Sequence, residues 1–199
     1  MNIANIIIKN EINGFHDNYG NLLDGGTDKN TDHSYCDYYD SIFSQYIDKE
    51  ISILEIGTYQ GGWAYSVLEC LPKSKITCID IKNQFSNKLL TKIQNNRLNF
   101  IEKNAYDKSV VDFLKTNNLS FDIIMEDGPH TLSSQVFAIK EYSSLLKEDG
   151  VMILEDIQSE NDLNVLVQII DETKFSYKII DLRKNKNRYD DLIIELRKI

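Results

Sequence analysis

The stretch that decides the fold reads Ile51-Ser52-Ile53-Leu54-Glu55-Ile56-Gly57-Thr58-Tyr59-Gln60-Gly61-Gly62. Its first six residues form a short, largely apolar run, which is typical of a strand buried in a sheet. The glycines that follow permit a tight turn, and residues 62–71 then have the spacing of a helix that Pro72 closes. The stretch therefore predicts a strand, a glycine-rich loop and a helix in succession.

Strand–helix pairs of the same kind follow along the chain. Apolar runs predict further strands at residues 76–80, 98–101, 121–125 and 150–154. Helical spacing between and after them predicts helices at residues 84–95, 107–117, 133–146 and 160–172. Two final strands, at 176–182 and 190–197, flank a polar turn at 184–188, for which simple solvation is the expected role.

This alternation implies a parallel sheet with right-handed crossovers, and the final pair of strands implies a hairpin. The sequence therefore predicts an α/β fold of the Rossmann-like, doubly wound type. Its seven-stranded sheet is mostly parallel, with one antiparallel strand in a C-terminal hairpin.

The first 49 residues have a different composition. Residues 18–32 are rich in Gly, Asn and Asp, which favour turns, and a loop of this length in a compact protein is usually functional or mobile. An amphipathic helix follows, because apolar residues recur at helical spacing from Tyr39 to Ile47. We predict that residues 1–49 form a lid of loop and helix over an active site that residues 50–199 build.

Composition and charge exclude several classes of protein. Hydrophobic residues make up 42% of the 199-residue chain, an ordinary value for a globular domain. A net charge of −9 predicts no nucleic-acid partner, because phosphate binding depends on clustered Lys and Arg. The apolar run at residues 6–8 is too short for a signal peptide or a membrane span. Cys36, Cys70 and Cys78 lack metal-ligand spacing and indicate free thiols, so a cytoplasmic location is expected.

Ligands of such sheets bind at the carboxyl ends of the strands, where this chain carries polar residues. The G-x-x-x-G-G spacing of the loop differs from the G-x-G-x-x-G of dinucleotide binders, and Glu55 suits a ligand with a cationic centre. Asp80 ends the second strand and is placed to accept the hydroxyls of a ribose. Asn104, after the third strand, has two interpretations: contact with an adenine or ribose edge, or a helix cap.

Acidic residues follow the fourth and fifth strands. Asp127 should lie beside Glu155 and Asp156, and three carboxylates at one point repel each other unless a cation relieves them. Oxygen ligands of this kind suit Mg²⁺, Mn²⁺ or Ca²⁺. His130 titrates near neutrality and is placed to take a proton from a hydroxyl. The alternative is that these acids only cap helices on a charged rim.

The loop at residues 54–62, together with Asp80, resembles the first motif and the ribose-binding acid of the class I S-adenosylmethionine-dependent methyltransferases. This resemblance covers residues 50–199. It implies that S-adenosylmethionine lies along the loop. The contacts it implies are with Glu55, Gly57, Thr58, Gly61, Gly62, Asp80, Asn104 and Asp127.

A narrower resemblance includes the lid. Thr27-Asp28-Lys29, His33-Ser34-Tyr35, Asp127-Gly128-Pro129-His130 and Glu155-Asp156 resemble segments of the metal-dependent sugar O-methyltransferases. That group includes the mycinamicin and macrocin O-methyltransferases and proteins named cephalosporin hydroxylases. The chain's few histidines lack the spacing of iron ligands, so we discount hydroxylation.

The narrower resemblance implies a role for each of these segments. Asp127, Glu155 and Asp156 would hold Mg²⁺ or Mn²⁺, and His130 would be the general base, with Asp127 beside it as a catalytic residue. Thr27, Lys29 and Tyr35 would cover the donor. The acceptor would be a small-molecule sugar or glycan, free, nucleotide-linked or part of a glycosylated metabolite, and the protein would be a homo-oligomer.

Other functions stay open at this point. A catechol-type O-methyltransferase acting on an aromatic diol would use the same fold. A non-catalytic relative acting as a binding subunit would keep the fold without turnover. The abundance of Ile, Lys and Asn indicates an AT-rich bacterial genome, in which sugar methylation commonly serves polysaccharide biosynthesis.

Overall fold

The computed structural model describes residues 2–94 and 96–199, and a single sheet organises them. Its strands are β1 (Ser52–Ile56), β2 (Lys75–Asp80), β3 (Leu98–Glu102), β4 (Phe121–Glu126), β5 (Leu146–Leu154), β6 (Phe175–Asp181) and β7 (Leu192–Lys198). They form a seven-stranded sheet in the order β3-β2-β1-β4-β5-β7-β6. Neighbouring strands are parallel from β3 to β5, while β7 runs antiparallel to both β5 and β6. The predicted fold class is confirmed.

Helices cover both faces of the sheet. They are α1 (Ile3–Lys9), α2 (Cys36–Phe43), α3 (Gly62–Cys70), α4 (Asn87–Leu90), α5 (Lys108–Thr116), α6 (Leu132–Phe137), α7 (Glu160–Gln168) and α8 (Arg183–Lys186). A π-helical segment (Ala138–Tyr142) and a 3₁₀ turn (Ser143–Leu145) continue α6 to the start of β5. No helix in the described part of the chain is both long and apolar enough to cross a membrane.

Two apolar layers explain why the strands read as continuous hydrophobic runs. On one face, Ile53 packs in a core that includes Trp63 of α3 and residues of α1 and α2. On the other face, Leu54 packs with Val111 of α5 and residues of α7. Each central strand is therefore buried on both sides, as expected for parallel strands between helical layers. This double burial holds the carboxyl ends of the strands in fixed positions.

Several elements differ from the sequence prediction. Of the helix predicted at 84–95, whose last residue lies outside the described residues, only the single turn α4 is helical. The Ser86 side chain caps this turn by accepting from the backbone N–H of Leu89 at 3.3 Å. Leu89 is the buried residue of the turn, and Ile93 also packs in the core from beyond its end. The unpredicted α1 buries Ile3, Ile6 and Ile7 on one face, a helical spacing that the short apolar run concealed. The polar turn predicted at 184–188 overlaps the one-turn helix α8, which begins at Arg183.

The N-terminal residues 2–49, called the lid below after the role predicted for them, lie across the start of α3. The backbone of Thr27 pairs with Ile12 and Gly14 through bonds of 3.0 and 2.8 Å. A Cβ atom on Gly62 would overlap the carbonyl oxygen of Gly25, so the close approach of these two segments requires glycine. Phe15 of the lid meets Tyr59 of the glycine-rich loop edge to face, with ring centroids 5.5 Å apart. These contacts place the lid beside the carboxyl edge of the sheet.

Candidate active site

Two loops meet closely at the carboxyl edge of the sheet. Gly57 follows β1 with a φ of +85°, and a Cβ atom there would overlap the carbonyl oxygen of Asp127, which follows β4. The backbone N–H of Asp127 in turn donates to the carbonyl of Ile56 at 2.9 Å. Only glycine satisfies both the left-handed conformation and the close approach. The loop sequence therefore sets the distance between the ends of β1 and β4.

A cavity of about 320 Å³ opens at this edge, a volume in the usual range of small-molecule sites. Asp80 stands at its polar end, with one carboxylate oxygen accepting from the backbone N–H of Tyr59 at 2.8 Å. Apolar side chains at the ends of β1 and β2 and the ring of Tyr106 supply most of the wall. The lining residues are Ile56, Gly57, Tyr59, Ile79, Asp80, Ile81, Asn104, Ala105, Tyr106, Asp127, Gly128 and Pro129.

Four of the residues predicted to bind the donor line this cavity: Gly57, Asp80, Asn104 and Asp127. Glu55 instead lies beneath the loop on β1, 1% exposed, where it accepts from the Cys78 thiol at 3.3 Å. Burial raises the pKa of Glu55 to about 7. The other predicted donor residues, Thr27, Lys29, Tyr35, Thr58, Gly61 and Gly62, are not among the lining residues of the described chain. Their predicted contacts stay predictions.

Beside the cavity, three titratable side chains converge. Asp127, His130 and Asp156 each place one ligand atom within 4.8 Å of the others. The Nε2 atom of His130 lies 3.5 Å from Asp156 Oδ2 and 3.9 Å from Asp127 Oδ1. Burial lowers the pKa of His130, so its imidazole is neutral at pH 7. The arrangement brings an imidazole together with two carboxylates.

The backbone at this point is unusual. His130 and Asp156 have φ values of +54° and +55°, a left-handed conformation that residues other than glycine rarely adopt. Such conformations cost about 1–3 kcal/mol each and concentrate at functional sites. The strain favours a functional interpretation over simple capping of helices.

The buried ammonium of Lys29 lies between two of the predicted metal ligands. Its Nζ atom lies 2.8 Å from Asp127 Oδ1 and bonds to Glu155 Oε2, while the Tyr39 hydroxyl donates to Glu155 Oε1. Burial opposes the positive charge, but the carboxylates of Asp127 and Glu155 outweigh it and hold the pKa of Lys29 well above its usual value. Both oxygens of Glu155 are thus engaged by the lid.

A second group of buried residues ties the lid to the start of β7. The Tyr35 hydroxyl donates to Asp156 Oδ1, and His33 Nδ1 lies 2.7 Å from Asp191 Oδ1 and 3.3 Å from Asp156 Oδ1. Ser34 donates to the other oxygen of Asp191 at 2.9 Å. Sequence reasoning missed Asp191, for which the signal was a pair of acids directly before an apolar strand.

Two further contacts were also missed. Lys186 of α8 donates to three lid carbonyls, those of Asn30, Thr31 and His33, at 2.5, 2.7 and 2.7 Å. The Tyr106 hydroxyl donates to Glu126 at the end of β4, and burial raises the pKa of Glu126 to about 7. Neither contact has a local signal, because each joins residues from separate elements.

Comparison with known proteins identifies similar domains. A family model described as a methyltransferase domain matches residues 54–157, slightly more than half of the 199 residues. No curated protein matches the sequence.

In three dimensions the chain is similar to MycE, a methyltransferase of the mycinamycin biosynthetic pathway solved in complex with Mg and SAH. The two superpose with a TM-score of 0.72 at 16% identity, over 100% of this chain and 55% of MycE. The chain thus spans about half the length of MycE.

Two other solved structures are also similar. A protein from Staphylococcus aureus, assigned as a caffeoyl-CoA O-methyltransferase, has a TM-score of 0.63 at 18% identity, over 99% of this chain and 90% of that one. A protein from Clostridium thermocellum, assigned as an rRNA methylase, has a TM-score of 0.63 at 12% identity, over 82% and 96%. Likeness at these identities establishes a shared fold.

Proposed function

The chain belongs to the family of methyltransferase domains whose model covers residues 54–157. From this premise we propose that it transfers a methyl group from S-adenosylmethionine to a hydroxyl of a sugar. The observation that carries the proposal is the position of Asp127, which lines the cavity and also belongs to the cluster with His130 and Asp156. A donor in the cavity and an acceptor at the cluster would therefore meet at Asp127.

The cavity supports binding of the donor. Asp80 offers a carboxylate to the ribose hydroxyls, and Ile79 and Ile81 provide an apolar wall for the adenine ring. The positive φ of Gly57 lets the backbone approach the donor closely. Glu55, charged when deprotonated, lies beneath the loop and favours a cationic ligand above it.

The cluster also fits a divalent cation. Asp127 and Asp156 direct carboxylate oxygens to the same space as His130, and hard oxygen ligands of this type suit Mg²⁺ or Mn²⁺. Glu155 would become a third ligand if it exchanged its bond to Lys29 for a bond to the cation. When bound, the ion would supply Lewis acidity, which lowers the pKa of a coordinated hydroxyl.

His130 is the proposed general base. Its Nε2 atom faces the two carboxylates, so this nitrogen is placed to accept the proton of the acceptor hydroxyl. Asp156 would stabilise the resulting imidazolium. The acceptor oxygen forms a bond to the methyl carbon while the carbon–sulfur bond breaks, and the electron pair of that bond stays on sulfur to give S-adenosylhomocysteine. Much of the rate would come from holding the two substrates in line.

A sugar is preferred over an aromatic diol because the surroundings of the cluster are polar. The side chains that contact Asp156 include those of Tyr35 and His33, and Lys29 pairs with the neighbouring Asp127. A catechol would need flat apolar walls around its ring. A non-catalytic binding subunit would have no need for a neutral His130 beside two carboxylates.

Calorimetry of metal-stripped protein tests the proposal. S-adenosylhomocysteine is titrated first, Mg²⁺ second, and NAD serves as the control ligand. We expect binding of S-adenosylhomocysteine, no binding of NAD and a Mg²⁺ event that Asp127→Ala abolishes. Failure of S-adenosylhomocysteine to bind would refute the methyltransferase proposal.

Turnover tests the base. With nucleotide sugars and simple glycosides compared against catechol as acceptors, we expect methylation of a sugar and a loss of about 100-fold or more in His130→Ala. Turnover of catechol alone would select the aromatic alternative. Light scattering tests whether the protein is a homo-oligomer, as we also propose.

A further inference from the structure

A basic loop borders the proposed acceptor site of this acidic protein. Residues 183–188 carry four cationic side chains, Arg183, Lys184, Lys186 and Arg188, although the net charge of the chain is −9. The loop joins β6 to β7 and lies at the carboxyl edge of the sheet, beside the lid. Positive charge is therefore concentrated at one place on a chain that is acidic as a whole.

Structural contacts use part of this charge. Lys186 is engaged by the three lid carbonyls, and Arg183 pairs with Asp181 and Glu160 at 2.7 Å each. Lys184 is exposed, and in the described part of the chain it has no ion pair within 4 Å. The loop is therefore held in place by some of its cations while another faces solvent.

Arg188 links the loop to the cluster. Its Nε and Nη2 atoms donate to the two oxygens of Asp190 at 2.9 and 2.8 Å, which leaves Nη1 outside that pair. The Asp190 backbone carbonyl accepts from the Tyr35 hydroxyl at 3.3 Å, and that hydroxyl also donates to Asp156. Arg188 is therefore a part of the loop that is connected to the cluster through Asp190 and Tyr35.

Beside these two cations, the ring of Tyr189 is 66% exposed, yet its position is fixed. The hydroxyl donates to Gln158 at 3.0 Å, and Gln158 donates to the backbone carbonyl of Asp156 at 2.9 Å. Lys184, Arg188 and Tyr189 line a surface depression of about 340 Å³, together with Asn187 and the ion pair of Arg183 with Asp181. Because Arg183 neutralises the one carboxylate in this lining, an aromatic ring and two further cations face the depression, which suits an anionic group attached to a ring-shaped ligand.

We propose that this depression, the anion subsite, binds an anionic group of the acceptor sugar, with Lys184 and Arg188 as its specificity-determining residues. The inference rests on the proposed function and narrows its acceptor class. The shared chemistry is a negatively charged oxygen group. A phosphoryl group of a phosphorylated or nucleotide-linked sugar and the carboxylate of an acidic sugar are its two sources.

Calorimetric titration of the full-length protein, saturated with S-adenosylhomocysteine, tests this proposal. The probes are UDP, inorganic pyrophosphate, glucuronate and, as the neutral comparison, methyl glucoside. We expect UDP and pyrophosphate, or glucuronate, to bind with an affinity that falls as salt is added, and methyl glucoside to bind far more weakly. The two anionic probes distinguish the phosphoryl source from the carboxylate source.

Lys184→Gln should weaken binding of the preferred anion about fivefold to tenfold, because a charge-assisted hydrogen bond is lost. Lys115→Gln is the matched control, since it removes the same charge from an exposed lysine at the end of α5, on the opposite edge of the sheet. Affinity for S-adenosylhomocysteine should be unchanged in both variants. Arg188→Gln provides a second variant, read against the thermal stability of the protein.

The outcomes separate the two proposals. If S-adenosylhomocysteine binds and no anionic probe does, or if the two lysine variants lose equal affinity, the anion subsite is refuted and the methyltransferase proposal stands. If S-adenosylhomocysteine itself fails to bind, the proposed function is refuted, and with it the role of the loop in selecting an acceptor.

Discussion

Replacing Lys29 by methionine would test the electrostatic arrangement on which the site depends. The ammonium is 2% exposed and pairs with both Asp127 and Glu155, whereas the thioether keeps most of the side-chain volume and removes the charge. Two buried carboxylates would then face each other without a cation. The substitution therefore removes the charge that compensates the two carboxylates and changes the packing little.

The expected cost follows from this geometry. Removing one partner of a buried ion pair lowers the free energy of unfolding by about 3–5 kcal/mol. For a domain of this size, 1 kcal/mol corresponds to about 2–4 °C in Tm, so the metal-free variant should melt about 6–20 °C below the wild type. Burial already raises the pKa of Asp127 well above its usual value. Without Lys29, Asp127 and Glu155 can therefore take up a proton between them, and we expect a Tm difference toward the lower end of this range.

Thermal melts with and without Mg²⁺ provide the measurement. The freed carboxylates no longer have an internal cation, so Mg²⁺ should raise the Tm of Lys29→Met by more than it raises the Tm of the wild type. Lys115→Met, which removes an exposed charge, should melt within about 2 °C of the wild type. A metal-free Lys29→Met variant that is as stable as this control would refute the assignment of Lys29 as the counter-ion of the two acids.

Three further substitutions test other parts of the structure. Gly57→Ala should lower Tm sharply and abolish donor binding. The control Gly20→Ala has a similar φ of +81° but open space at the Cβ position, so it should lower the free energy of unfolding by only about 1 kcal/mol. Equal losses in the two variants would contradict the close contact beneath the loop. In calorimetry, Asp80→Ala should weaken the binding of S-adenosylhomocysteine about 10-fold to 100-fold. Glu102→Ala, at the end of the neighbouring strand, should leave this affinity unchanged. Equal affinities in the two variants would remove Asp80 from the ribose site. Burial raises the pKa of Glu126 to about 7, so the folded state holds this proton more tightly than the unfolded state does. Through this group the wild type should lose up to about 3 kcal/mol in free energy of unfolding as the pH rises from 4.5 to 7. In urea titrations, Glu126→Gln should therefore gain stability relative to the wild type between pH 5 and pH 8, and a difference that does not change with pH would show that this proton is not held on folding.

The sheet was predictable because its strands are buried on both faces and alternate with amphipathic helices. Local pattern carried that information, and the hairpin at the C-terminus was read in the same way. The helix predicted at 84–95 is mostly wrong, because only Asn87–Leu90 is helical among the described residues. Leu89 and Ile93 both pack in the core at helical spacing, so the pattern reflected burial of these side chains rather than a continuous helical backbone.

The site was predictable only in part. Carboxyl ends of adjacent parallel strands must meet, so the approach of Asp127 to Asp156 followed from strand order. The contact of Lys29 with Glu155 joins residues 126 positions apart, and no periodic pattern encodes which cation fills such a space. Asp191 and the contacts of Lys186 were missed for the same reason, because their partners lie in the lid.

The three bonds from Lys186 to the lid share a single donor, so they form and break together. Three separate contacts could be lost one after another, so that the segment would fray gradually. With one ammonium holding the carbonyls of Asn30, Thr31 and His33, withdrawal of the side chain releases all of them together. One side chain near the C-terminal end of the chain therefore fixes three carbonyls of a segment 153 to 156 positions away in sequence, alongside the bonds that Lys29, Tyr35 and Ser34 make from the same segment.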